Sequence, residues 1–273
     1  MPRPSHLPNY KAPPIDEVVV GLQFEPIVRF SEPHVGLFWQ RVRDDYPTVE
    51  SHPRLEGPIE DLQERLSPTP PTVFFGLGGS AQGRTWLISS DESLLIQVQN
   101  TRFILNWRRR GQTDYPHFDA ILERFWSAFD RFRSMLNEEH LQLPSVQQLE
   151  VTYINWITTL GISDFFRPAS ASSLTAPGVS PMPEDQAFMA RHMVRDTAGT
   201  PIARLYLQCQ SALRIEPEGA TNGTQFTLTF KSPSTSFTDE EVNSRAAIAR
   251  ESIVQSFTDL TTDAAHVKWE RTQ

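Results

Sequence analysis

Residues 86–110 constrain this chain more than any other stretch. Three short apolar runs are joined by tight polar turns at Ser90-Asp91-Glu92 and Asn100-Thr101-Arg102. Alternation puts Leu94, Ile96 and Val98 on one side of a strand and Gln97 and Gln99 on the other, the period-two pattern of a half-buried sheet. Past Tyr115-Pro116, Phe118, Ile121, Leu122, Phe125, Phe129, Phe132 and Leu136 recur every three or four residues. That spacing predicts a long amphipathic helix over residues 118–137, so a helix must cover an antiparallel meander.

The same grammar organises the rest. Residues 1–14 are Pro-rich and read as an extended arm. A β-branched strand follows at residues 17–24, then a helix with Ser31 as N-cap and Val35, Phe38, Trp39 and Val42 on one face, ended by Tyr46-Pro47. Residues 48–72 read as a loop, with at most a weak helical turn at 59–66. The glycine-rich segment 76–83 runs into a strand, not a helix N-terminus, so it reads as a strand connection and not a phosphate cradle. Further strands are expected at 149–157, 187–195, 202–216 and 225–231, with turns at 196–201 and 219–223 and an Ala/Ser/Pro-rich loop at 167–183. The last helix has the clearest start: Thr238 and Glu241 form a capping box, and Val242, Ala246, Ala249, Ile253 and Phe257 share one face.

The order of elements repeats: strand, helix or loop, three strands, long helix. Even the opening strands look alike, Glu17-Val18-Val19-Val20 against Glu150-Val151-Thr152-Tyr153. The expected fold is therefore α+β, in two related halves at 15–146 and 147–273. Their meanders would form an extended antiparallel sheet with the helices on one face. The other face would carry Gln97, Gln99, Asn106 and Arg108 from the first half, and Arg204, Tyr206, Gln208, Gln210, Thr227 and Thr229 from the second. This amide-rich surface suits either solvent or a bound peptide, RNA segment or small molecule.

Composition narrows the function classes. A formal net charge of −8 argues against unspecific binding to a phosphate backbone. The single cysteine, Cys209, lies in a strand and allows no intrachain disulfide. No apolar stretch is long enough to span a bilayer, and the expected location is cytoplasmic. The seven histidines show no helical metal-ligand spacing, no serine stands in a nucleophile motif, and the adjacent carboxylate pairs fall at turns or helix ends. No cofactor, metal or catalytic residue is expected. The strongest electrostatic feature is Arg108-Arg109-Arg110, preceded by Trp107 and followed on the helix by Arg124, Arg131 and Arg133. Arginine beside an aromatic ring suits phosphate contact and base stacking.

Several blocks together resemble a sporadically distributed bacterial family of uncharacterised proteins. They are the opening Tyr10-Lys11-Ala12-Pro13-Pro14-Ile15-Asp16-Glu17, the Phe38-Trp39 helix leading to Tyr46-Pro47, Gln97-Val98-Gln99 with Asn106-Trp107-Arg108, Glu150-Val151-Thr152-Tyr153-Ile154-Asn155, and Ser256 through Thr262. The resemblance spans nearly the whole chain, assigns no activity to any residue, and leaves the 76–83 segment as a local insertion. Its scattered occurrence implies a role in phage defence or as a toxin–antitoxin partner. The leading expectation is a non-catalytic module for a protein or peptide partner. The alternatives are an RNA- or nucleotide-binding protein that uses Trp107, Arg108 and Arg109, or an enzyme with a dispersed site.

Overall fold

The computed structural model describes residues 4–63, 83–110, 114–158, 160–169, 185–216, 219–235 and 237–273. Most of the glycine-rich segment, residues 170–183 of the Ala/Ser/Pro-rich loop, and the end of the suggested helical turn at 59–66 lie outside these residues. The elements are β1 (Ile15–Phe24), α1 (Glu32–Val42), β2 (Thr48–His52), β3 (Arg84–Ile88), β4 (Leu94–Gln99), β5 (Arg102–Arg108) and α2 (Phe118–Glu138). They continue with β6 (Val146–Ile157), α3 (Ile162–Phe165), a 3-10 turn (Arg167–Ala169), β7 (Ala187–Arg195), β8 (Pro201–Glu216), β9 (Gly219–Pro233), α4 (Asp239–Leu260) and α5 (Asp263–Lys268).

All nine strands form one antiparallel sheet in the order β2-β3-β4-β5-β1-β6-β9-β8-β7. The fold is α+β with an extended sheet. The opening strands β1 and β6 meet at its centre, and each half builds outward from there through its last strand, then its middle ones. Both central strands have neighbours on each side, so β1 and β6 leave no unpaired edge between the halves.

One sheet face is apolar. In register across it stand Trp107, Val18, Tyr153, Leu228 and Leu207, all buried. The two long helices cover this face. On α2 the residues Phe125, Phe129 and Phe132 bring their rings within 5.2–5.8 Å of Phe103, and on α4 Phe257 stacks on Phe226. The helices also touch each other, for the indole N–H of Trp126 donates to Asn243 at 2.7 Å. The α4 capping box forms as its sequence requires: the Thr238 hydroxyl accepts from the Glu241 N–H, and the Glu241 carboxylate accepts from the Thr238 N–H.

Several elements differ from expectation. The strand β2 reads as loop in the sequence because its five residues, Thr-Val-Glu-Ser-His, are exposed or half-buried on a sheet edge and leave no alternation. The expected turn at 219–223 is the first part of β9, paired in register with β8 from Glu216 to Ala212. Gly223 belongs to that strand because a Cβ there would lie 2.7 Å from the Trp156 ring. The short helices α3 and α5 and the start of β6 at Val146 carry no strong periodicity. The Pro-rich arm docks on the other end of the chain: Lys11 and Ala12 donate backbone hydrogen bonds to Glu270 and Trp269.

Candidate functional site

The opposite sheet face carries the polar alternate positions. Four transverse rows can be read from the register. One runs Gln99, Arg102, Gln23, Gln148; the next runs Trp86, Gln97, Ile104, Gly21, Glu150, Lys231, Arg204. A third holds Asn106, Val19, Thr152, Thr229 and Tyr206, and a fourth Arg108, Glu17, Ile154, Thr227 and Gln208. Gln210 follows Gln208 on the same side, two residues further along β8.

This face is not bare. Residues 53–63 leave β2 and cross the sheet as an extended strap without helix or strand. Side chains from successive strands reach its backbone. Gln99 of β4 accepts from the Leu55 N–H and donates to the Leu55 carbonyl, at 3.0 and 3.1 Å. Arg102 of β5 and Gln23 of β1 both donate to the Gly57 carbonyl at 3.1 Å. Gln148 of β6 accepts from the Glu60 N–H at 2.7 Å. These are main-chain contacts, which read an extended backbone and not its side chains.

At its far end the strap is clasped. Arg204 Nε donates to Glu60 Oε1 at 2.8 Å, and the Tyr206 hydroxyl donates to Glu60 Oε2. A second guanidinium nitrogen of Arg204 donates to the carbonyls of Asp61 and Gln63. Burial, and then the hydrogen bond to Glu60 and its charge, push the Tyr206 phenol up to about 12, so it stays a donor throughout the physiological range. At the near end Arg54 donates to Asn100 and Thr101.

Beside the strap a polar relay runs into the centre of the sheet. Arg84 donates to Gln97 at 2.6 Å, Gln97 to Asn106 at 2.7 Å, and Asn106 to the Glu17 carboxylate. Burial raises the Glu17 carboxyl above its ordinary value against the opposing pull of the Asn106 hydrogen bond. Trp86 sits at the margin, stacked on His52 with ring centroids 3.7 Å apart and with the guanidinium groups of Arg84 and Arg108 within 6.0 Å of its ring.

The residues expected on this face separate into two groups. Gln97, Gln99, Asn106, Arg108, Arg204, Tyr206, Gln208 and Gln210 lie on it. Trp107 does not: strand alternation turns it to the helix side, where it is buried 5.4 Å from the Tyr115 ring. The expected partnership of Trp107 with Arg108 is therefore replaced by that of Trp86 with Arg84 and Arg108. Arg109 donates its N–H to the Asp16 carbonyl of β1 and its guanidinium to the Pro13 carbonyl of the arm. Arg131 and Arg133 lie on α2 and pair with Asp45 and Asp239. Sequence reasoning missed Glu60, Gln23, Gln148 and Arg102. Of these, Gln23 did leave a signal, the one amide of its strand.

Two histidines have local structural roles: His34 accepts from the Ser31 N–H at the start of α1, and His266 is buried 2.8 Å from the Thr261 hydroxyl. Among the described residues no helix is long and apolar enough to cross a membrane. No family model matches the chain, and no curated protein matches it.

Proposed function

We propose that this chain is a non-catalytic binding module whose polar sheet face holds an extended segment of a protein partner, in the place now taken by residues 53–63. One observation carries the reading: side chains from four neighbouring strands bind the strap through its backbone, and a clasp of buried Arg204 and half-buried Tyr206 takes the carboxylate of Glu60. Backbone recognition is indifferent to sequence, so another extended segment can satisfy the same donors and acceptors. The clasp adds a requirement, a carboxylate at the position of Glu60. The strap thus acts as a tethered competitor, present at an effective concentration on the order of millimolar. A place in phage defence or in a toxin–antitoxin pair, which the family resemblance implies, suits a module that exchanges one bound segment for another.

The test uses isotopically labelled full-length chain with Glu60→Ala and a synthetic peptide with the sequence of residues 53–63. The reading predicts peptide-induced NMR shifts at Gln99, Gln148, Arg204 and Tyr206. Absence of these shifts, with salt-sensitive shifts at Trp86 and Arg108 on adding a short single-stranded RNA, would overturn it in favour of a nucleic-acid site.

A further inference from the structure

On the helix side of the sheet, away from the strap, the N-terminal arm roofs a cavity of about 370 Å³. That volume lies in the lower part of the range for small-molecule sites, about 300–1,000 Å³. Its walls are mainly apolar and aromatic: Tyr10 from the arm, Phe118 from the start of α2, Tyr153 from β6, and Ile253 and Phe257 from α4. Folded interiors normally close such space by packing. Here the rigid Pro13-Pro14 pair in the arm and the bulky rings opposite hold it open.

Among the described residues, the charged side chains in the wall are Arg250 and Asp119, with one histidine, His117, beside them. Arg250 is 5% exposed. One of its terminal nitrogens donates to both Asp119 oxygens at 2.9 Å, and its guanidinium lies 5.8 Å from the Phe118 ring. Its Nε is buried and, among the described residues, has no acceptor.

We infer that this cavity is a binding site for a neutral aromatic or heteroaromatic small molecule. Neutrality follows from the pair already present. Asp119 balances Arg250, so an anionic ligand would bring a second negative charge beside Asp119, and a cationic one would face the guanidinium, both away from water. The aromatic preference follows from the rings of Tyr10, Phe118, Tyr153 and Phe257, which offer faces and edges to a flat ligand. The arm is held over the cavity by the 2.9 Å hydrogen bond between the Tyr10 and Thr258 hydroxyls.

The probe is prodan, a neutral naphthyl ketone whose emission reports both polarity and hydrogen bonding to its carbonyl. The full chain should bind it at one saturable site with blue-shifted emission. Ile253→Phe fills the cavity from within and Val254→Phe from its half-exposed wall, so either should weaken binding by at least about tenfold while the melting transition stays cooperative. Binding that neither filling variant changes, or that does not saturate, would overturn the site.

Discussion

Arg204 on β8 and Glu60 in the strap form an ion pair at 2.8 Å, with side chains only 8% and 11% exposed. Removing one partner of such a pair strands the other in a low-dielectric setting, at about 3–5 kcal/mol. The strap is a loop and can detach, so the loss should appear as local opening and not as global unfolding. In Glu60→Gln, exchange protection of the Leu55 and Glu60 amide positions should fall by at least about a hundredfold, while the β1 and β6 amides keep theirs. Unchanged strap protection would mean that the clasp does not hold it.

The Glu17 carboxyl makes a second, pH-dependent prediction. Its folded-state pKa lies above the unfolded value because burial outweighs the Asn106 hydrogen bond. The folded state therefore binds more protons, and stability falls as pH rises from the unfolded carboxylate range through the raised folded value. Glu17→Gln keeps an acceptor for Asn106 and removes the charge. It should be more stable than the parent at pH 7 and should flatten this part of the pH profile, as read by denaturant unfolding between acid and neutral pH.

Cys209 sits on the helix side of β8, fully buried. Burial pushes its thiol up to about 12, which leaves a thiolate fraction of about 10⁻⁴ at pH 8. A thiol reagent such as DTNB should therefore react with the native protein only at the rate of its unfolding. Rapid reaction without denaturant would contradict the placement of β8.

Phe103 joins the two layers of the first half, with Phe38 of α1 and Phe125, Phe129 and Phe132 of α2 around it. Phe103→Ala should destabilise the protein by about 3–5 kcal/mol in equilibrium unfolding. A loss below about 1 kcal/mol would be inconsistent with this core.

The elements that sequence reveals are those whose burial is one-sided. The α2 stripe from Phe118 to Leu136, the Phe226-Leu228-Phe230 alternation and the Thr238 capping box each leave a local pattern, and each lies where expected. The exposed edge strand β2 and the start of β9 have no apolar side, so their pairing comes from tertiary context alone. The candidate face was half legible: amides at alternate positions in β4 and β8 mark it. The strap was not, because Glu60 meets Arg204 and Tyr206 across 144 and 146 residues and nothing in its neighbours announces a buried carboxylate. Trp107 was misplaced by adjacency. Neighbours in a strand point to opposite faces, so Trp107 and Arg108 cannot serve one surface.

The most direct measurement is fluorescence anisotropy of a labelled peptide bearing the sequence of residues 53–63, titrated with three full-length proteins. These are the parent chain, Glu60→Ala, and Glu60→Ala combined with Arg204→Ala. If the sheet face holds extended segments, Glu60→Ala binds the peptide at least about tenfold more tightly than the parent, whose own strap competes. The added Arg204→Ala change should remove most of that affinity. Equal affinity for all three proteins, or tightest binding by the parent, would contradict the proposal.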